Sequence, residues 1–165
     1  MTRREDLRAL PRREGHNCFG CGPKNECGLR MKFFTDEKSL FSWVTIPGHL
    51  CGWDNLVHGG VLSTVLDEIM GWTAIHFSRK FAVTQKMAIE FHKPVPVAEE
   101  LRLEGRVIEF RGQREAEVEG RLFRGEDTLC VQGSGTFRLF SPDAMIRLGA
   151  IKEEALTRFD SLLDP

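Results

Sequence analysis

Residues 59–77 form one long helical segment that is apolar nearly all round, and this constrains the fold more than any other feature. Val61, Leu62, Val65, Leu66, Ile69, Met70, Trp72 and Ile75 cover most of its circumference. A surface helix keeps a polar face, whereas a helix apolar on all sides is buried. The rest of the chain must supply a sheet that wraps it.

Four strands with clean period-two patterning follow the helix. Met87, Ile89 and Phe91 share one face of the first, and Leu101, Leu103 and Val107 one face of the second. Ala116, Val118 and Leu122 do so in the third, and Leu129, Val131, Phe137 and Leu139 in the fourth. Polar alternates point to an antiparallel sheet with one face in the core. The linkers Pro94-Val95-Pro96, Arg111-Gly112-Gln113 and Arg124-Gly125-Glu126 read as meander turns. Two further strands, over residues 29–35 and 39–46, flank a turn ahead of the helix, and residues 47–57 read as a loop. This order predicts an α+β domain over residues 16–140. One helix covers only part of six strands, and self-association is expected to close the remainder. Residues 1–15 read as a flexible N-terminal arm with one helical turn around residues 4–10. Residues 141–165 read as a C-terminal amphipathic helix, capped by Ser141 with Pro142 at its first position. Leu148, Ile151, Ala155, Phe159 and Leu162 make its stripe.

Composition narrows the function. The net charge of −1, from 23 basic and 24 acidic residues in 165, gives no footing for a nucleic-acid coat or a polybasic membrane binder. No apolar run reaches the ~20 residues of a membrane span, and residues 1–17 lack the apolar core of a signal peptide. A soluble, cytoplasmic protein is expected, with no nucleic-acid or membrane partner. The chain has no Tyr, which excludes phenol-based catalysis. Its five cysteines are an odd count, better suited to free thiols or metal ligands than to a disulfide framework.

The chemistry concentrates at the start of the long helix, in His58-Gly59-Gly60 and, two turns on, Asp67. The first N–H groups of a helix have no intrahelical partner, and the helix dipole favours negative charge there. Two glycines let another molecule approach those groups, which makes a usable oxyanion site. A carboxylate inside an otherwise apolar helix is costly unless it is paired or used. The bland alternative is that the glycines merely start a helix and that Asp67 pairs with a nearby cation.

His58-Gly59-Gly60 followed by an acid nine residues after the His resembles the signature of hotdog-fold acyl-CoA thioesterases. The similarity is to the phenylacetate-degradation-type branch of the 4-hydroxybenzoyl-CoA thioesterase superfamily. It runs over residues 17–139 and includes Thr84 ten residues before Pro94, and Gly133-Ser134-Gly135-Thr136-Phe137. The resemblance implies an antiparallel sheet wrapped around one buried helix and hydrolysis of an acyl- or aryl-CoA thioester, with no cofactor. It implies that the Gly59 N–H polarises the carbonyl, that Asp67 is general base or nucleophile, and that Thr84 places the water. Members often carry Asn or Gln six residues before the His; Gly52 stands there, and Asn55, three before it, is the candidate substitute. Gly59 and Asp67 are eight residues apart, about 12 Å along one helix. One carbonyl cannot touch both within a chain, so catalysis implies a homodimer or a dimer of dimers, a homotetramer.

Other residues are weaker candidates. Glu68 points about 100° from Asp67 and is a second choice as base or a substrate contact. His58 is a candidate base, with loop-holding hydrogen bonds the plainer role. Gly60, Trp53, Arg79, Lys86 and Arg114 are candidates for binding substrate, the last three through its phosphates; a solvated surface face is their plain alternative. Trp72, Cys51 and Cys130 read as core or near-core. Cys18 and Cys21 with Cys27 and His16 have the residue types of a zinc site. No second Cys pair follows, and the Cys-Phe-x-Cys-Gly pattern is similar to a loop of the same thioesterase branch, so a packed thiol loop without metal is expected. Two other functions stay open: a non-catalytic acyl-CoA binding or sensing module, and a hotdog hydratase or dehydratase using His58.

Overall fold

The computed structural model describes residues 4–12 and 14–158. Helix α1, Gly59–Ser78, lies where the periodicity places it. It starts because His58 caps it, with extended backbone and Nδ1 accepting from the Gly60 N–H. It stops at Arg79, whose left-handed backbone (φ 57°) turns the chain while its N–H still reaches the Ile75 carbonyl. Val65, Leu66, Ile69, Met70 and Ala74 are completely buried.

The strands are β1 (Arg8–Ala9), β2 (Phe33–Thr35), β3 (Leu40–Thr45), β4 (Cys51–Trp53), β5 (Leu56–Val57), β6 (Phe81–Phe91), β7 (Glu100–Arg111), β8 (Glu115–Arg124) and β9 (Thr128–Phe140). Seven of them form one antiparallel sheet in the order β1-β2-β3-β7-β8-β9-β6, and β4 pairs with β5 as a small separate hairpin. Leu101, Leu103, Ala116, Val118, Leu122, Val131 and Phe137 face α1 and are buried, as their alternation requires. Gly105, Gly120 and Gly133 stand in register across β7, β8 and β9. A Cβ at Gly105 would run into Thr73 Oγ1, and one at Gly120 would lie 2.8 Å from Met70 Cγ. This glycine row is what lets the helix sit down on the sheet.

Four expectations need correction. Gly112 and Gly125 make the tight β7–β8 and β8–β9 turns with positive φ, but Pro94-Val95-Pro96 is no meander turn. β6 pairs with β9 at the sheet edge, so residues 92–99 cross to β7 by way of β5, where the Val57 N–H donates to the Val95 carbonyl. The arm is not all loose: after a 3-10 turn at Arg4–Asp6, β1 adds to the sheet, and Arg8 pairs with Glu37 at 2.6 Å. Residues 47–57 are not plain loop but hold β4 and β5.

The tail is not one helix. α2 spans Pro142–Arg147, capped by Ser141 Oγ. The Gly149 N–H then donates to Ile146 and the Ala150 N–H to Met145, with Gly149 at φ 68°. That pairing is the Schellman stop, which closes a helix by consuming its last carbonyls. A 3-10 segment, Glu153–Arg158, follows. Phe159 and Leu162 of the expected stripe lie outside the described residues. Met145 packs with Phe81, Trp72, Phe140 and Ile151, which seats the tail against the start of β6. Among the described residues, no helix is long and apolar enough to cross a membrane.

Candidate functional site

The start of α1 is capped tightly. Gly60 N–H donates to His58 Nδ1 at 2.9 Å, and the N–H groups of Val61 and Leu62 both donate to the His58 carbonyl. The N–H of Gly59 takes part in none of these bonds, and Gly59 is exposed. His58 thus spends one ring nitrogen on holding the turn. Gly52 lies against it: a Cβ at Gly52 would be 3.2 Å from His58 Cα. Asn55 is exposed in the β4–β5 turn, and its carbonyl accepts from Val97 N–H.

Two turns along α1, Asp67 meets β6. Thr84 Oγ1 donates to Asp67 Oδ1 at 2.6 Å, beside a register shift between Thr84 and Lys86. Both residues line a cavity of about 330 Å³, together with Glu68, Trp72, Phe81 and Ile151 among others. Gly59 is not in that lining. The structure therefore brings Asp67 and Thr84 together and leaves the same chain's Gly59 about 12 Å away along the helix.

Glu68 lines the same cavity but turns toward the Cys18–Cys21 loop. Cys18 Sγ and Glu68 Oε1 share a hydrogen bond of 3.2 Å, and Trp72 Nε1–H donates to Cys21 Sγ at 3.4 Å. Burial pushes the Glu68 carboxyl up to about 8, opposed by Cys21 and reinforced by the Cys18 and Asp67 charges. The Cys21 thiol, which donates to Cys18, draws the Cys18 thiol down to about 4, against its desolvation and with help from backbone N–H donors at Cys21 and Gly20. Cys21 is pushed up correspondingly, by that donation, by burial and by Glu68. Cys27 is exposed and stands outside the cluster. The sequence shows the Cys-x-x-Cys pair but not its partner, because Glu68 lies 50 residues from Cys18.

The remaining candidates scatter. Trp53 is 81% exposed on the β4–β5 hairpin and lines no part of this cavity. Arg79 ends α1, about 18 Å from Asp67 along the axis, and Arg114 follows the β7–β8 turn near Lys80, whose Nζ donates to the Gln113 carbonyl. Lys86 is exposed on β6, next to the register shift. Cys130 is buried as expected, but Cys51 is exposed, because the short hairpin lifts it off the core. Trp72 is more than core: it stacks on Phe33 at 5.1 Å and forms cavity wall.

Comparison with known proteins agrees with this architecture. The thioesterase superfamily profile matches residues 54–131. An uncharacterized protein of Schizosaccharomyces pombe is 30% identical over 93 residues, 53% of this chain and 53% of that protein. A crystal structure of a thioesterase superfamily protein superimposes with a TM-score of 0.67 at 26% identity, covering 74% of this chain and 60% of that one. This chain thus spans about half the length of the yeast relative and less than two thirds of that crystallised chain. The PaaI protein of E. coli, from the phenylacetic acid degradation operon, aligns with a TM-score of 0.61 at 15% identity over 68% of this chain and 81% of its own. A hypothetical thioesterase of Streptococcus pneumoniae TIGR4, solved with coenzyme A, gives 0.57 at 17% over 63% and 82%. The last two similarities speak to the fold alone. The antiparallel sheet with one long helix packed against it is thus the hotdog fold of these thioesterase-superfamily structures.

Proposed function

We propose that the protein is an acyl-CoA thioesterase whose active sites lie between two copies of the chain. Asp67 takes a proton from water as the water oxygen attacks the thioester carbonyl. The Gly59 N–H of the second copy holds the resulting oxyanion at the positive end of its helix. The carbonyl reforms, the C–S bond breaks, and the proton on Asp67 passes to the departing CoA thiolate, leaving free acid and CoA. The observation that carries this reading is the 2.6 Å hydrogen bond from Thr84 to Asp67 in the wall of an open cavity. The bond ties one carboxylate oxygen down and leaves the other for water. Thr84 is then a positioning residue, as is His58, which sets the turn that presents Gly59. Arg79, Lys86 and Arg114 are the proposed cations for the CoA phosphates, and Trp53, Asn55 and Gly60 are proposed contacts from the neighbouring copy.

The test is a panel of short, long and aryl acyl-CoAs read by release of free thiol. Turnover with at least one class is expected. Saturable binding without thiol release would replace this reading with a binding module. Change in the acyl chain without thiol release would replace it with a hydratase or dehydratase.

A further inference from the structure

We propose that Cys18, Cys21 and Glu68 form a binding site for a zinc-class divalent metal ion, with a fourth position open to the adjacent cavity. The ligand atoms of the three residues all lie within 4.8 Å of one another. The Cys-x-x-Cys spacing is that of a chelating turn, closed here by the Gly22 N–H donating to the Cys18 carbonyl at 2.9 Å.

Two features show that the loop is shaped for this cluster rather than merely packed. A Cβ at Gly20 would collide with the Glu68 side chain, and one at Gly22 with the Cys18 backbone. The glycines on either side of Cys21 thus make room, Gly20 for the carboxylate and Gly22 for the tight turn. The Cys21 sulfur also receives a hydrogen-bond donor, the Trp72 indole N–H at 3.4 Å. Donors of this kind orient and neutralise thiolates around a metal.

The donor set selects the ion. Two thiolates favour zinc and its relatives over magnesium or calcium, and a carboxylate is a normal third zinc ligand. Three protein ligands leave one coordination position, and the cavity lined by Cys18, Cys21, Glu68 and His16 lies beside them. The set is not the three cysteines and one histidine that the sequence offers, because Cys27 is exposed and apart. The two cysteines lie outside residues 54–131 and Glu68 within them, next to Asp67, and the metal is read by its own uptake rather than by turnover.

The test is metal uptake by the reduced full chain. Protein stripped with chelator is titrated with Co²⁺, read by thiolate-to-cobalt charge-transfer absorption, and then with Zn²⁺ as competitor. About one ion per chain is expected. Cys18→Ser and Cys21→Ser should abolish the absorption, and Cys27→Ser should leave it intact. Glu68→Gln, nearly isosteric, should weaken affinity at least about tenfold, the low end of what loss of even an outer-sphere partner costs. It decides the matter if the serine variants do not fold. No cobalt band in the reduced protein overturns the proposal, as does a band that survives Cys18→Ser and Cys21→Ser, one lost in Cys27→Ser, or full affinity in Glu68→Gln. A Cys18–Cys21 disulfide that forms in air, with no metal uptake after reduction, also overturns it.

Discussion

Thr84 Oγ1 and Asp67 Oδ1 are 2.6 Å apart, although 17 residues of sequence separate them. The bond joins the middle of the buried helix to the edge strand of the sheet. Under the proposed mechanism Asp67→Asn removes the base, and turnover of the best acyl-CoA should fall about 10²–10⁴-fold with the fold retained. Thr84→Val keeps the shape and removes only the hydroxyl. A hydrogen bond to a charged group is worth about 1.5–3 kcal/mol, so kcat should fall about tenfold to a hundredfold with KM little changed. Near-normal kcat in Asp67→Asn would shift the search for a base to His58 or Glu68.

The separation of Gly59 from Asp67 within one chain gives a complementation test. A variant with a bulky residue at Gly59 and an Asp67→Ala variant should each be inactive alone. Refolded together, about half of the dimers are mixed, and one of two sites in each mixed dimer is intact. Activity should return to roughly a quarter of wild type. No recovery despite proven subunit exchange would rule out the shared site.

Gly105 bears the closest approach of α1 to the sheet, against Thr73 and Ile69. Gly105→Ala overpacks this contact and should destabilise by about 1–3 kcal/mol. For a chain of this size that lowers Tm by roughly 2–4 °C per kcal/mol, readable in a thermal melt. Gly112→Ala, at a turn with φ 62° and open space around it, tests backbone strain instead of packing.

His76 is buried at 4% exposure, and its ring lies edge-on to Phe77 at 4.8 Å. Burial holds its pKa down, Arg79 and Arg8 add to that, and Glu37, 3.7 Å away, opposes them. The unfolded chain, with His near 6.5, therefore binds the proton more readily than the folded one. Stability is constant with respect to this group above about pH 6.5 and declines as pH falls from there toward the lower folded value. Urea unfolding between about pH 8 and pH 5.5 should show a greater loss of stability on acidification in wild type than in His76→Gln, the contributions of Glu68 and Cys18 being common to both.

The sequence by itself determined the order of the long strands, the buried helix and the inward faces of β7, β8 and β9, whereas on the edge strand β6 Phe91, expected inward, is 54% exposed. These are readings of local periodicity, and Val65, Leu66, Leu103, Val118 and Phe137 are buried because alternation and helical spacing fix which side chains share a face. It also marked His58-Gly59-Gly60, since a capped glycine turn is a local event. Only the tertiary structure decided what depends on pairing between distant segments. It put β6 at the edge beside β9 rather than next to β7, which carries Thr84 to Asp67. It aligned Gly105, Gly120 and Gly133 in one row, a register that no single strand reveals. It broke the tail at Gly149, where a left-handed residue overrode a continuous apolar stripe. And it set Glu68 against Cys18 and Cys21: one residue's rotation on a helix, about 100°, gives two neighbouring carboxylates in one cavity different partners, Thr84 for Asp67 and Cys18 for Glu68.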